Sequence, residues 1–210
     1  MPTPWSAPIK AAKQLSIFPT SKVTGGPWKS VFTKALAEFN ALSAKHSLGV
    51  TFAIASSAPD PSGVGGADVQ FDTINGTANF TCFNQAFSDK LSGNAMEGHT
   101  KVISQVFGSA KSIAKAFIFV PATPRVGAAS SRVVGDPVKL VIAAHEMIHA
   151  CGLDNSEHTA LKDADLFFDV PSLRDKVHPA DDRIAVGNPI VEMPPLFLSA
   201  PTIKLIQTNW

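Results

Sequence analysis

Tyrosine is absent from this chain, and cysteine occurs only twice, at Cys82 and Cys151. Two thiols are too few for a disulfide framework. A single Cys82–Cys151 bridge competes with two separate buried thiols. The second arrangement is the expected one, because Cys151 ends an apolar run in which a free cysteine acts as a small hydrophobe. No run of about 18 apolar residues exists, so no membrane-spanning helix is expected. Blocks of like charge are also missing. Lys+Arg number 18 against 17 Asp+Glu, a net charge of +1, which provides neither the basic face of a nucleic-acid binder nor an acidic tail. The start, MPTPWSAPIK, carries proline at 2, 4 and 8 and no apolar core of a secretory signal. Secreted and cytoplasmic locations both stay open. No G-x-S-x-G elbow is present, which leaves a serine hydrolase without its motif.

What the chain does have is 210 residues, 45% of them hydrophobic, enough for one sizeable core and one domain. Residues 1–27, rich in Pro, Ser, Thr and Gly, are expected to form an extended arm over the surface of a domain spanning 28–210. Pro27 and Trp28 open a helix to His46, with Val31, Ala35, Leu36, Phe39 and Leu42 on one apolar stripe and Gly49 as its stop. Strands are expected at Val50–Ala55, Ala67–Ile74, His99–Phe107 and Ala116–Val120. The stretch 75–98 is expected to be loop, with NGT and NFT as chance-level glycosylation triplets. Asp136 as N-cap and Pro137 in the first turn start a second helix, VKLVIAAHEMIHAC, which stops at Gly152 as a left-handed residue. Helix, strands and a late helix in this order predict an α/β (α+β) domain, a mixed sheet with helices packed on it. The chain contains no internal repeat.

The late helix carries the chemistry. His145-Glu146-Met147-Ile148-His149 is H-E-x-x-H. Histidines four apart share a helical face, so both imidazoles can reach one ion. Glu146 is turned about 100° from His145, from ~3.6 residues per turn. It is placed beside a water rather than on the metal. Catalytic zinc takes about three protein ligands and keeps a position open. His158, nine residues after His149, is the favoured third ligand, because imidazole is a better zinc ligand than a carboxamide. Asn155, Asp154 and the more distant His178 are the alternatives.

The run from His145 to Gly152 resembles the metzincin metallopeptidases, whose signature is H-E-x-x-H-x-x-G-x-x-H followed later by a methionine turn. His145, Glu146, His149 and Gly152 match it. Asn155 stands where the family has its third histidine, and His158 follows three residues later. Met193, in IVEMPP, has the order of the methionine turn. With no tyrosine in the chain, the tyrosine that swings onto the metal in some branches is excluded. The resemblance implies a twisted mixed sheet with an antiparallel edge strand, a long helix packed on it, the metal-binding helix, and an irregular C-terminal subdomain. It also implies a Zn2+ cofactor and an endopeptidase in which Glu146 acts as general base. A peptide or protein substrate would lie extended along the edge strand at His99–Phe107, with Pro195–Ile203 walling the leaving-group side of the pocket. A monomer is expected. Asp163, Asp165 and Asp169 lack the spacing of a calcium loop and read as a solvated acidic loop. The rival from another class is a non-enzymatic structural or interaction protein that keeps the fold and the zinc site.

Overall fold

The computed structural model describes residues 2–95, 97–125, 133–154 and 198–210. Five strands form one sheet: β1 (Gln14–Pro19), β2 (Thr51–Ile54), β3 (Val69–Ile74), β6 (His99–Phe107) and β7 (Ala110–Pro121). Their spatial order is β2-β1-β3-β7-β6. The first four run parallel, and β6 closes the edge antiparallel to β7. A separate antiparallel hairpin joins β4 (Gly76–Cys82) and β5 (Gln85–Leu91). The helices are α1 (Ala7–Ala12), α2 (Ser21–Thr24), α3 (Lys29–His46), α4 (Asp136–Ala150) and, at the C-terminal end, α5 (Ala200–Asn209). The fold is thus a mixed α+β domain, as the order of elements predicts, with the antiparallel edge strand that the resemblance implies.

Alternation along β7 explains the layering. Successive side chains of a strand point to opposite faces. Ala116, Ile118 and Val120 join the main core beneath α3 and α4. Phe117 and Phe119 face the other way, into a second cluster under the hairpin. There Phe80 meets their rings at centroid distances of 4.3 and 5.6 Å. Beyond Lys111, strand β7 is covered on both faces, which is why Ile113–Pro121 reads as an apolar run. Lys115 is the exception within it. It is fully buried, and its ammonium donates to the carbonyls of Val64, Gly65 and Ala67, each at 2.8 Å. The cation thereby holds the loop between β2 and β3.

Three expectations need correction. Residues 1–27 are not a surface arm: Gln14–Pro19 is an internal strand between β2 and β3, with Leu15 and Ile17 fully buried. The two-residue alternation is short and lies among prolines and polar residues, so composition masks it. The stretch 75–98 is mostly hairpin rather than loop. Ala78, Phe80 and Cys82 face inward, and the turn is made by Phe83 and Asn84, both at positive φ (50° and 56°). Paired positive φ values define the type I′ turn, and Phe is an unusual residue to find there. Finally, the cap of α4 is Gly135, and Asp136 is its first helical residue. Elsewhere the expected elements stand close to their predicted places. In α3, Val31, Ala35, Phe39 and Leu42 are buried with Leu36 packed against them. Both cysteines are free and buried.

Candidate metal centre

Helix α4 is apolar on nearly every side because it lies between α3, the sheet and the chain ends. Val138, Leu140, Ile142, Ala143, Ala144, Met147, Ile148 and Ala150 are all buried. This burial fixes the rotation of the helix, and with it the aim of its polar residues. Glu146 and His149 are only 2% and 8% exposed. Ligand atoms of His145, Glu146 and His149 all lie within 4.8 Å of one another, a cluster that could hold a metal ion.

The two imidazoles converge on their Nε2 atoms, 3.1 Å apart. His149 Nδ1 lies 2.8 Å from the Leu153 carbonyl oxygen. A carbonyl only accepts, so Nδ1 carries the proton, and in the neutral ring Nε2, facing His145 Nε2, is the acceptor nitrogen. This is the second-sphere arrangement that orients metal-binding histidines. Zinc–imidazole bonds are about 2.0–2.1 Å long. Two nitrogens at that distance from one ion and 3.1 Å from each other would subtend roughly 98°, close to the tetrahedral range. The donor set therefore fits a metal ion held by the two imidazoles.

Glu146 is held from the edge strand. Thr100, paired with Ile118 in the β6–β7 ladder, lies on the face of the sheet that α4 covers. Its hydroxyl lies 2.7 Å from Glu146 Oε2 and 3.1 Å from the Glu146 carbonyl oxygen. The Gly98 N–H adds a second donor to the carboxylate. Burial pushes the carboxyl up to about 8. The Thr100 hydroxyl opposes that, the carboxylates of Glu97 and Asp89 add to it, and the Gly98 N–H opposes it. A cation on the two histidines would lower it again by opposite charge. Gly98 also makes room: a Cβ there would stand 2.6 Å from Glu146 Cγ and 2.9 Å from Cδ and Oε1.

Of the residues proposed from sequence, the structure brings together His145, Glu146 and His149. His158, Asn155, His178, Met193 and the aspartates 163, 165 and 169 lie outside the described residues, as does the start of the segment Pro195–Ile203. The described end of that segment places Leu198 in the main core and begins α5 at Ala200. Asp154 lies at the end of the described turn after α4. Sequence reasoning missed Thr100, Gly98 and the Leu153 carbonyl. Thr100 and Gly98 carried one available signal, a small residue and a hydroxyl flanking the first position of the edge strand. The Leu153 contact is made by backbone and leaves no mark in the sequence. Gly152, read as a left-handed stop, does adopt φ +101°.

No protein-family model matches this chain, and no curated protein matches it.

Proposed function

We propose that the chain is a zinc-dependent endopeptidase of metzincin type. The observation that carries this reading is the converged pair of His145 and His149 with Glu146 held beside them by an edge strand. A structural zinc site fills every position with ligands and needs no buried acid beside it. Here a carboxylate is kept in a dry position at some electrostatic cost, which is characteristic of groups that move protons.

His145 and His149 would hold the ion through Nε2, with His158 as the third donor. When bound, zinc would supply Lewis acidity, polarising a scissile carbonyl and making a water a better nucleophile at neutral pH. Glu146 takes the proton from the attacking water on its carboxylate and passes it to the leaving amine. Thr100 and Gly98 fix that carboxylate against rotation. Strand β6 is an edge of the sheet, with one side of its backbone free of ladder partners among the described residues. An extended peptide could add there as a further strand. This would place its carbonyl near the base, since Thr100 of the same strand holds Glu146.

The test is metal analysis of the purified chain, followed by digestion of a quenched-fluorescence peptide library with and without chelator. Near-stoichiometric zinc, and cleavage that is lost on chelation and restored by zinc, are expected. Stoichiometric zinc without cleavage of any peptide would favour the non-enzymatic alternative. No zinc after reconstitution would overturn both.

A further inference from the structure

The turn that orients His149 is held by both ends of the chain. Helices leave their last carbonyls without partners inside the helix. Those of Ile148 and His149 accept from the Cys151 and Gly152 N–H groups, while those of Ala150 and the capping Cys151 find partners far away in sequence. The Trp5 indole N–H donates to the Ala150 carbonyl at 2.7 Å. The Cys151 carbonyl accepts from Asn209 Nδ2 at 2.9 Å and from the Trp210 indole N–H at 3.0 Å. The Thr3 N–H donates to the Gly152 carbonyl at 2.9 Å. Asn209 Nδ2 also lies 3.3 Å from the Thr3 carbonyl, tying the two ends to each other. Trp5 and Asn209 are buried at 2% and 7% exposure. The approach is so close that a Cβ on Gly152 would stand 2.3 Å from the Thr3 oxygen and 2.6 Å from Asn209 Nδ2.

The next residue in this turn is Leu153, whose carbonyl sets the His149 ring. We propose that Trp5, Asn209 and Trp210 are positioning residues for the metal site. By clamping the Ala150 and Cys151 carbonyls they hold the turn at Gly152, keep the Leu153 oxygen on His149 Nδ1, and so keep Nε2 aimed at the ion. All three act on the site through backbone carbonyls of the turn. The effect passes through the Ala150, Cys151 and Leu153 carbonyls and one imidazole. The inference rests on the metal-site reading above.

The experiment compares Asn209→Ala and Trp210→Phe with Asn40→Ala. Asn40 is a suitable control. It is likewise an amide bonded to backbone, though half-buried, donating to the Phe52 carbonyl at 2.9 Å and accepting from the Phe52 N–H at 2.8 Å. It serves the opposite edge of the sheet. Zinc affinity is read by competition with a chromophoric chelator. The His149 tautomer is read in the metal-free chain by 15N imidazole NMR. Asn209→Ala and Trp210→Phe should weaken zinc binding by roughly 10–100-fold, as loss of an outer-sphere partner does. They should also shift His149 from pure Nδ1–H toward a mixture. Asn40→Ala should leave both within about twofold, whatever it does to melting temperature. Equal losses in all three variants, or unchanged affinity and tautomer in Trp210→Phe, would overturn the proposal. Trp210→Phe keeps a ring in place and decides the matter if Asn209→Ala does not fold. If the wild-type chain binds no zinc, the metal reading fails, while the tautomer measurement still decides the clamp.

Discussion

Adding one methyl group at Gly98 should disable the base without disturbing the metal. In Gly98→Ala the new Cβ would stand 2.6 Å from Glu146 Cγ and 2.9 Å from Cδ and Oε1, where ordinary contact begins near 3.4 Å. The side chain of Glu146 must therefore retreat by roughly 0.5–0.8 Å, or the loop must rise by as much, as overpacked sites do. Retreat is costly, because Glu146 is buried and tied to Thr100 at 2.7 Å. The φ angle of Gly98 is not positive, so alanine strains no dihedral and the contact alone is tested. A misplacement approaching 1 Å in a catalytic group costs on the order of 10²-fold. We expect kcat to fall about 10–100-fold, with zinc content unchanged because His145 and His149 are untouched. Stability should fall by about 1–3 kcal/mol from overpacking. Steady-state turnover of a quenched peptide, metal analysis and urea unfolding measure the three quantities. Turnover within twofold of wild type would refute the idea that the Gly98–Glu146 contact sets the position of the base.

Other consequences concern the same helix and its surroundings. In the metal-free chain, burial raises the Glu146 carboxyl from its ordinary value of 4.5 to about 8. The folded state then binds the proton more tightly than the unfolded chain does. The resulting stability is full below about 4.5 and is lost as pH rises through about 8. At ~1.36 kcal/mol per pKa unit, this amounts to a few kcal/mol at most. Glu146→Gln should flatten that slope, so its melting temperature should exceed wild type at pH 8.5 and match it near pH 4.5. A wild-type profile parallel to that of the variant would contradict this. His158→Ala should weaken zinc binding by orders of magnitude, and Asn155→Ala by about 10–100-fold. The reverse order in a chelator titration would make Asn155 the ligand. Lys115→Met should cost roughly 2–4 kcal/mol in urea unfolding, because the carbonyls of Val64, Gly65 and Ala67 lose their buried cationic donor. Unchanged stability would mean that water replaces the ammonium at no cost.

Sequence patterning was informative where a segment carries a long, unbroken period. The stripe from Val31 to Leu42 is read correctly because a single helix face dictates it, and the run from Asp136 to Gly152 is read correctly except for its cap, which is Gly135. Strand β6 is placed residue for residue, and β7 is found but truncated, since Lys115 reads as a boundary until three carbonyls are seen around it. Strand β1 and the β4–β5 hairpin were misread for a common reason. Their alternations are short and rich in Ser, Thr, Asn and Pro, and such residues become strands only when a neighbouring strand takes up their backbone groups.

The sequence by itself determined the chemistry of the centre: two imidazoles and a carboxylate at helical spacing, on a helix with a proper start and a glycine stop. That information is local, because a 3.6-residue period converts spacing into direction within a single turn. Only the tertiary structure decided what surrounds those groups. Thr100 and Gly98 reach Glu146 from 46 and 48 positions away, and Trp5 reaches Ala150 across 145. Contacts at such separations depend on how strands pair and where chain ends settle. These are cooperative properties of the assembled sheet, which no window along the chain encodes.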